Sequence, residues 1–276
     1  MNFFKIFICL IILVIFASCS NQVDKKLAIN EKSLELQVYE AYKKGIESLE
    51  SGDVLFAAKK FNVAEILYPQ SIWAPRSSLM AAYSYYIQDY YSESIAELDR
   101  YLITYPSHKN IDYAYYLLSL CYYEQIVDET RDLQSIINAK KNFQIVLKDF
   151  PNTDYALDAS FKIDLINDIL ASKEIYLGRY YFNKKKWIAS INRFKSVADN
   201  YNTTIYVEEA LHRLVEIYYT LGLVEESKKY AHLLGYNYRS SKWYEKTYSL
   251  FDKSYEEHKK KNHKKNKITK KFKSLF

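Results

Sequence analysis

Little in this chain can make tight turns. Its 276 residues include only 5 glycines and 4 prolines. A sheet-rich fold of this length needs turn residues between many short strands, so a nearly all-helical chain is expected. Cysteine is also scarce. Cys9 and Cys19 lie in or at the edge of an N-terminal apolar stretch, which leaves Cys121 alone in the body. That excludes a disulfide framework, and Cys121 reads as a small core residue. The apolar run from Ile6 to Phe16 is shorter than the roughly 20 residues a membrane-crossing helix needs. Acid is missing from the C-terminal end, where residues 258–276 hold nine lysines and no Asp or Glu. Without that segment 30 basic residues face 33 acidic ones, so a mildly acidic body carries a strongly basic tail.

The residue patterns of catalysis are missing as well. His108, His212, His232, His258 and His263 stand in no metal-ligand spacing with Cys, Asp or Glu. There is no glycine-rich phosphate loop and no Gly-x-Ser-x-Gly elbow. Glu208-Glu209 and Glu225-Glu226 are neighbours along a helix and so do not face each other. They read as solvated faces. No enzyme, cofactor or metal is expected.

What is present is a repeated helix pair. From Tyr39 to Pro69 two helical patterns flank a short turn at Ser51-Gly52-Asp53. The second helix carries Ala57, Phe61 and Ala64 and stops at Pro69, the spacing of a tetratricopeptide repeat. Small Ala57 and Ala64 let a neighbouring helix approach. Phe61 fills the space between them, and Gly45 sits where the crossing needs a small residue. Proline cannot continue the helix. The ending recurs at Tyr105-Pro106, Phe150-Pro151 and Tyr201-Asn202, with spacings of 37, 45 and 51 residues. The usual period is about 34, so later units carry longer helices or insertions.

The second unit pairs about Pro75–Asp89 with about Tyr91–Tyr105, using Ala82, Tyr85, Ser94, Leu98 and Tyr101. The third starts near Asp112. It uses Leu118, Ser119, Tyr122, Ala139 and Phe143, with a polar insertion at Val127–Gln134. The fourth has a long first helix from about Thr153 to Asn183 with Leu177, Gly178 and Tyr181, then Phe194. The fifth uses Leu211, Leu214, Tyr218, Gly222, Ser227 and Leu234, and a helix from about Ser241 to Glu257 caps the stack. The expectation is an all-α solenoid over residues 35–257, with about five tetratricopeptide-like helix pairs and a C-terminal capping helix. Each unit would touch mainly its neighbours.

The N-terminus reads as an address. Residues 1–18 have a positive Lys5, an apolar middle and small Ala17-Ser18, the form of a secretory signal peptide. With Cys19 following, the stretch resembles the lipobox of bacterial lipoproteins, although Phe16 stands where Leu is usual. The resemblance implies a lipid on Cys19 as the first mature residue and a flexible tether over 19–34. Ser20, which is not Asp, favours the outer membrane. An uncleaved membrane anchor is the alternative. The basic tail at 258–276 is too charged to fold alone. It reads as disordered, as a contact for anionic lipid headgroups, or least favourably as a nucleic-acid arm.

A lipobox followed by about five such repeats resembles the BamD family of outer-membrane assembly lipoproteins. Tyr105-Pro106-Ser107-His108-Lys109-Asn110-Ile111-Asp112-Tyr113 is similar to that family's junction between second and third units. The insertion before Ser135, then Ala139, Phe143 and Asp149-Phe150-Pro151-Asn152-Thr153, is similar to its third unit. Trp187, Asn192 and Arg193 fall in a similar run in its fourth. The resemblance covers roughly Cys19 to Leu234. It implies a scaffold on the periplasmic face of the outer membrane that makes and breaks no bond. Such a scaffold holds the POTRA domains of the barrel subunit BamA and receives unfolded barrel precursors. Another tetratricopeptide lipoprotein, a pilotin or a peptidoglycan-enzyme partner, is the alternative.

The concave face gives candidate binding residues. First-helix positions are Tyr39, Tyr42, Ile46 and Leu49; then Arg76, Leu79, Tyr83 and Tyr86; then Tyr113, Tyr116, Leu120, Tyr123 and Glu124. Seven of these thirteen are tyrosines. Tyrosine offers a rigid ring and a hydroxyl that can meet a peptide backbone. The expected occupant is an extended, aromatic-rich C-terminal segment of a precursor, with Arg76 near its carboxylate or a backbone oxygen. The competing reading is that these rings pack between helices and reflect a composition holding 29 tyrosines.

Overall fold

The computed structural model describes residues 23–126, 133–239 and 241–252, with side chains from residue 34 onward. Eleven helices and no strands occur among them. They are α1 (Val23–Glu50), α2 (Val54–Leu67), α3 (Ala74–Tyr86), α4 (Tyr91–Thr104), α5 (Ile111–Glu124) and α6 (Gln134–Asp149). Then come α7 (Asp154–Asn183), α8 (Trp187–Asn200), α9 (Val207–Thr220), α10 (Val224–Asn237) and α11 (Lys242–Phe251). These are the five pairs and the cap that the spacing implies. Helix α1 begins at Val23, inside the stretch expected as a tether. Most of the polar insertion, Cys19 and the lysine tail lie outside the described residues.

One geometry makes each pair. In α2, Ala57, Phe61 and Ala64 are all fully buried. Ser94, Leu98 and Tyr101 repeat this in α4, Ala139, Phe143 and Val146 in α6, and Ser190, Phe194 and Val197 in α8. Where the first of these is serine, its hydroxyl is aimed at the partner helix. Ser94 donates to the Ala82 carbonyl at 2.9 Å, Ser190 to Gly178 at 2.9 Å and Ser227 to Val215 at 3.0 Å. A buried hydroxyl must be satisfied, and this bond does so while pinning the crossing point.

The turns inside the pairs are equally regular. Gly52, Asp89, Lys185 and Gly222 have positive φ values of 84°, 61°, 56° and 78°. Each precedes the small buried residue by the same interval. Glycine suits this left-handed position; Asp89 and Lys185 hold it without that advantage. At the far end of the second helices the chain breaks in one way. The N–H groups of Tyr105, Phe150, Tyr201 and Tyr238 reach back four residues at 2.8–3.0 Å. The ending at Tyr238 follows Tyr201 by another 37 residues, but Arg239 takes the place of proline and hides it.

The described residues form two compact units. The first holds α1 to α5, most of α6 and the first turn of α7; the second holds α7 from Leu157 through α11. In the first unit, Glu65 is buried on α2 and takes both nitrogens of the Arg100 fork from α4, at 2.6 and 2.7 Å. The Tyr105 hydroxyl adds a third bond to Glu65 at 2.9 Å. In the second unit Glu209 on α9, expected on a solvated face, is instead buried and receives Arg179 of α7 through two nitrogens. Buried His212 bonds Thr247 at 2.8 Å and lies against Trp243, fastening α11 to α9.

A tyrosine face on the first unit

All eight groove positions expected from the sequence fall within the first unit, on α1, α3 and α5. They come together in two groups. The first is centred on Trp73, just ahead of α3. Its ring lies 5.5 Å from Tyr39 and 4.9 Å from Tyr42, and the Arg76 guanidinium stands 5.4 Å over it. Tyr42 also meets the core edge-on at Phe61, 5.4 Å away. Cation–π contact fixes Arg76 without neutralising it. Tyr42, Arg76, Leu79, Met80, Lys109, Asn110 and Tyr113 then enclose a cleft of about 320 Å³. Leu79, mapped from the sequence as a groove position, is buried and forms part of the core.

The second group is a packed set of rings. Tyr116 stacks on Tyr155 at 5.0 Å, and Tyr113 tilts against the same ring at 5.5 Å. Tyr83, Tyr86 and Tyr113 lie against the core formed by Leu79, Ala82, Leu98, Leu117 and Leu118. Tyr116 and Tyr123 each approach Phe143 at 6.2 Å. Burial raises the Tyr113 hydroxyl well above the ordinary tyrosine pKa of 10.0, and Tyr83, Tyr155, Tyr86 and Tyr116 raise it further. Tyr42 is raised by burial against the opposing pull of Arg76. Both hydroxyls are therefore neutral donors at physiological pH. Tyr83, Tyr86, Tyr113, Tyr116 and Tyr123 are all half-buried. Each spends part of its ring on helix packing and offers only the remainder outward.

The cleft's charge is one-sided. Arg76 and Lys109 line it, and no carboxylate does. His108 beside it is lowered by burial first, then by Lys109 and Arg76. An aromatic floor with two cations suits a chain that brings a carboxylate or carbonyl oxygens next to apolar side chains. Trp73, Lys109 and Tyr155 belong to this face and were not among the sequence candidates. They sit at helix starts, outside the positions by which one repeat is compared with the next.

No group of three His, Cys, Asp or Glu among the described residues is arranged to hold a metal. Cys121 is buried and donates to the Ser94 hydroxyl at 3.2 Å, and burial pushes its thiol up to about 11. No described helix is long and apolar enough to cross a membrane.

Serial helix pairs built on one repeated crossing define a tetratricopeptide-type protein. Comparison with known proteins makes this particular. The YfiO outer membrane lipoprotein family model matches residues 35–233. An outer membrane protein assembly factor BamD from Caulobacter vibrioides is 40% identical over 86% of this chain and 76% of its own length. One from Rickettsia prowazekii is 40% identical over 87% of this chain and 94% of its own. The chain belongs to the BamD family. Among solved structures, a tetratricopeptide protein from Thermus thermophilus covers 78% of this chain and 98% of its own, at 14% identity and a TM-score of 0.37. That likeness is too slight to bear on the site.

Proposed function

We propose that this chain is a non-enzymatic scaffold lipoprotein of the outer-membrane β-barrel assembly machinery. A lipid on Cys19 holds it at the periplasmic face of the outer membrane. It binds the POTRA domains of the barrel subunit and receives unfolded precursors. Membership of a family whose curated relatives are outer membrane protein assembly factors supports the machinery. The observation that carries the precursor step is the cleft of Tyr42, Arg76, Lys109 and Tyr113, aromatic and cationic with no lining acid.

In this reading a precursor's aromatic C-terminal segment lies along the tyrosine face. Its rings meet Tyr83, Tyr86 and Tyr116, and its carboxylate or backbone oxygens meet Arg76 and Lys109. Binding holds the segment extended until the barrel subunit takes it. The work is capture and handover, with no cofactor and no nucleic acid.

Two measurements test the two parts. Detergent pull-down of the full-length chain should recover a large POTRA-containing barrel protein in stoichiometric yield. Recovery of pilus or cell-wall proteins without that barrel would overturn the machinery. For the groove, Tyr83→Ala with Tyr86→Ala should weaken binding of a barrel C-terminal peptide about tenfold or more, each lost ring contact counting for roughly 1 kcal/mol. Unchanged affinity with unchanged helicity would remove the tyrosine face from the function.

A further inference from the structure

A different surface, on the second unit, points to a membrane. The turn between α7 and α8 is Asn183-Lys184-Lys185-Lys186, its three lysines all exposed. Its backbone is closed by Lys184, Lys185 and Lys186 N–H groups donating to Tyr180, Phe182 and Tyr181 carbonyls at 3.2, 2.9 and 2.9 Å. Three lysines are thus carried side by side on one hydrogen-bonded turn. From Ile175 to Ala198 the sequence has no acidic residue. The arginines in that span are engaged elsewhere, Arg179 by Glu209 and Arg193 by Glu174.

Large apolar side chains flank the lysines. Ile188 is 79% exposed and Tyr180 is 52% exposed. The next pair adds to the same edge. Arg179 meets Glu209, and three residues on Phe182 meets Arg213, so α7 and α9 run parallel. Their following turns therefore leave the unit on one side. The second turn is Leu221-Gly222-Leu223, with Leu221, Leu223 and Val224 all exposed. The acids that follow, Glu225 and Glu226, are engaged by Lys228 and Lys229.

Lysines beside exposed aliphatic and tyrosine side chains match a bilayer interface, where cations meet lipid phosphates and short apolar groups enter the headgroup layer. What sets this edge apart is the three lysines beside its apolar side chains, and charge complementarity selects an anionic partner. We infer that the edge formed by Tyr180, Lys184, Lys185, Lys186, Ile188 and Leu221–Val224 docks on an anionic phospholipid bilayer. This contact is separate from the Cys19 anchor and from the tyrosine face. It would set the orientation in which the second unit meets the membrane.

The test uses the full-length chain mixed with vesicles of phosphatidylcholine and shallow-brominated phosphatidylglycerol. Tryptophan is introduced by Ile188→Trp, and by Ile103→Trp as a control on an exposed position of the first unit, each in a chain whose native Trp73, Trp187 and Trp243 are changed to Phe. Bromine should quench the tryptophan at position 188 and leave that at 103 unaffected. Lys184, Lys185 and Lys186 each changed to Gln should abolish the quenching, since losing three lysines weakens partitioning on the order of a hundredfold. Flotation of that triple variant separately reports whether the N-terminal anchor holds the chain to vesicles. No quenching at 188, equal quenching at 103, or quenching indifferent to the three lysines would each overturn the docking edge.

Discussion

Gly45 of α1 faces the ring of Phe61 of α2 with no room for even a methyl group. A Cβ built on Gly45 would lie 2.6 Å from the ring, and one built on Gly178 would lie 2.6 Å from Phe194. The same contact occurs in the first and fourth pairs, so each glycine permits a helix crossing. Gly45→Ala and Gly178→Ala should each destabilise by about 1–3 kcal/mol through overpacking. Urea unfolding of the single variants measures this. Gly52→Ala is a different case. No atom lies within 4 Å of its Cβ position, but its φ of 84° strains any side chain.

The Arg100–Glu65 fork predicts a larger loss than a surface pair would give. Glu65 has only 7% of its side chain exposed, while Arg100 has 43%. Removing the arginine leaves a buried carboxylate with the Tyr105 hydroxyl as its remaining bond from that network. A fully buried broken pair costs about 3–5 kcal/mol. The half-exposed Arg100 lowers the expectation for Arg100→Met to about 2–3 kcal/mol. The double variant Arg100→Met with Glu65→Leu should recover most of it, which a thermal-denaturation cycle would read directly.

Acid should weaken the ion pairs of α9. Burial raises the carboxyl of Glu216, but bonds from His212 and Arg213 outweigh it and hold the pKa below its ordinary 4.5. A depressed folded-state pKa means the unfolded chain binds the proton more readily. The stabilisation is therefore complete above about pH 4.5 and is lost as pH falls through the lower folded value. Glu216→Gln should flatten the fall in stability between neutral pH and about pH 3, followed by urea midpoints across that range. An unchanged pH profile would show that the ion pair contributes nothing there.

Lys185 offers a gain in stability. Its φ of 56° puts a side-chain-bearing residue in the left-handed region that Gly52 and Gly222 occupy in other turns. That conformation costs about 1–2 kcal/mol for a residue with a Cβ, against about 0.5–1 kcal/mol of added chain entropy for glycine. Lys185→Gly should stabilise by about 0.5–1 kcal/mol. Asp89→Gly should gain less, because the Tyr91 hydroxyl donates to the Asp89 carboxylate at 2.8 Å and that bond would go.

The pairs were legible in the sequence because packing repeats residue types at fixed intervals. Ala57, Phe61 and Ala64 announce one second helix, and Leu98 and Phe194 recur at its central place. The ending at Tyr238 escaped notice because Arg239 stands where Pro69 and Pro106 stand. The turn at Lys185 was legible from the helix patterns on either side of it, although its left-handed backbone was not, since Lys185 stands where Gly52 and Gly222 stand. The tyrosine positions were legible as a periodic face, but their division of labour was not. How much of each ring goes into packing depends on Tyr155, Phe143 and Trp73, which lie in other helices or between them. Glu65 and Arg100 are separated by 35 residues, and no local pattern joins them.

Trp73 gives the sharpest test of how the cleft is held. Its ring touches Tyr39 and Tyr42 of α1 and lies under Arg76 of α3. Replacing it with leucine keeps apolar volume between the helices but removes the π face that holds the guanidinium. Trp73→Leu should cost about 1–2 kcal/mol of stability, since some ring packing is lost. It should also weaken binding of an aromatic C-terminal peptide, because Arg76 is freed to move. Arg76→Gln should weaken the same peptide without the stability loss, and amidating the peptide's carboxylate should erase the difference between Arg76 and Gln. Isothermal titration of the three proteins against free-acid and amide peptides separates these effects. If amidation has no effect on any of them, Arg76 meets the backbone or nothing, and the carboxylate lies elsewhere on the face.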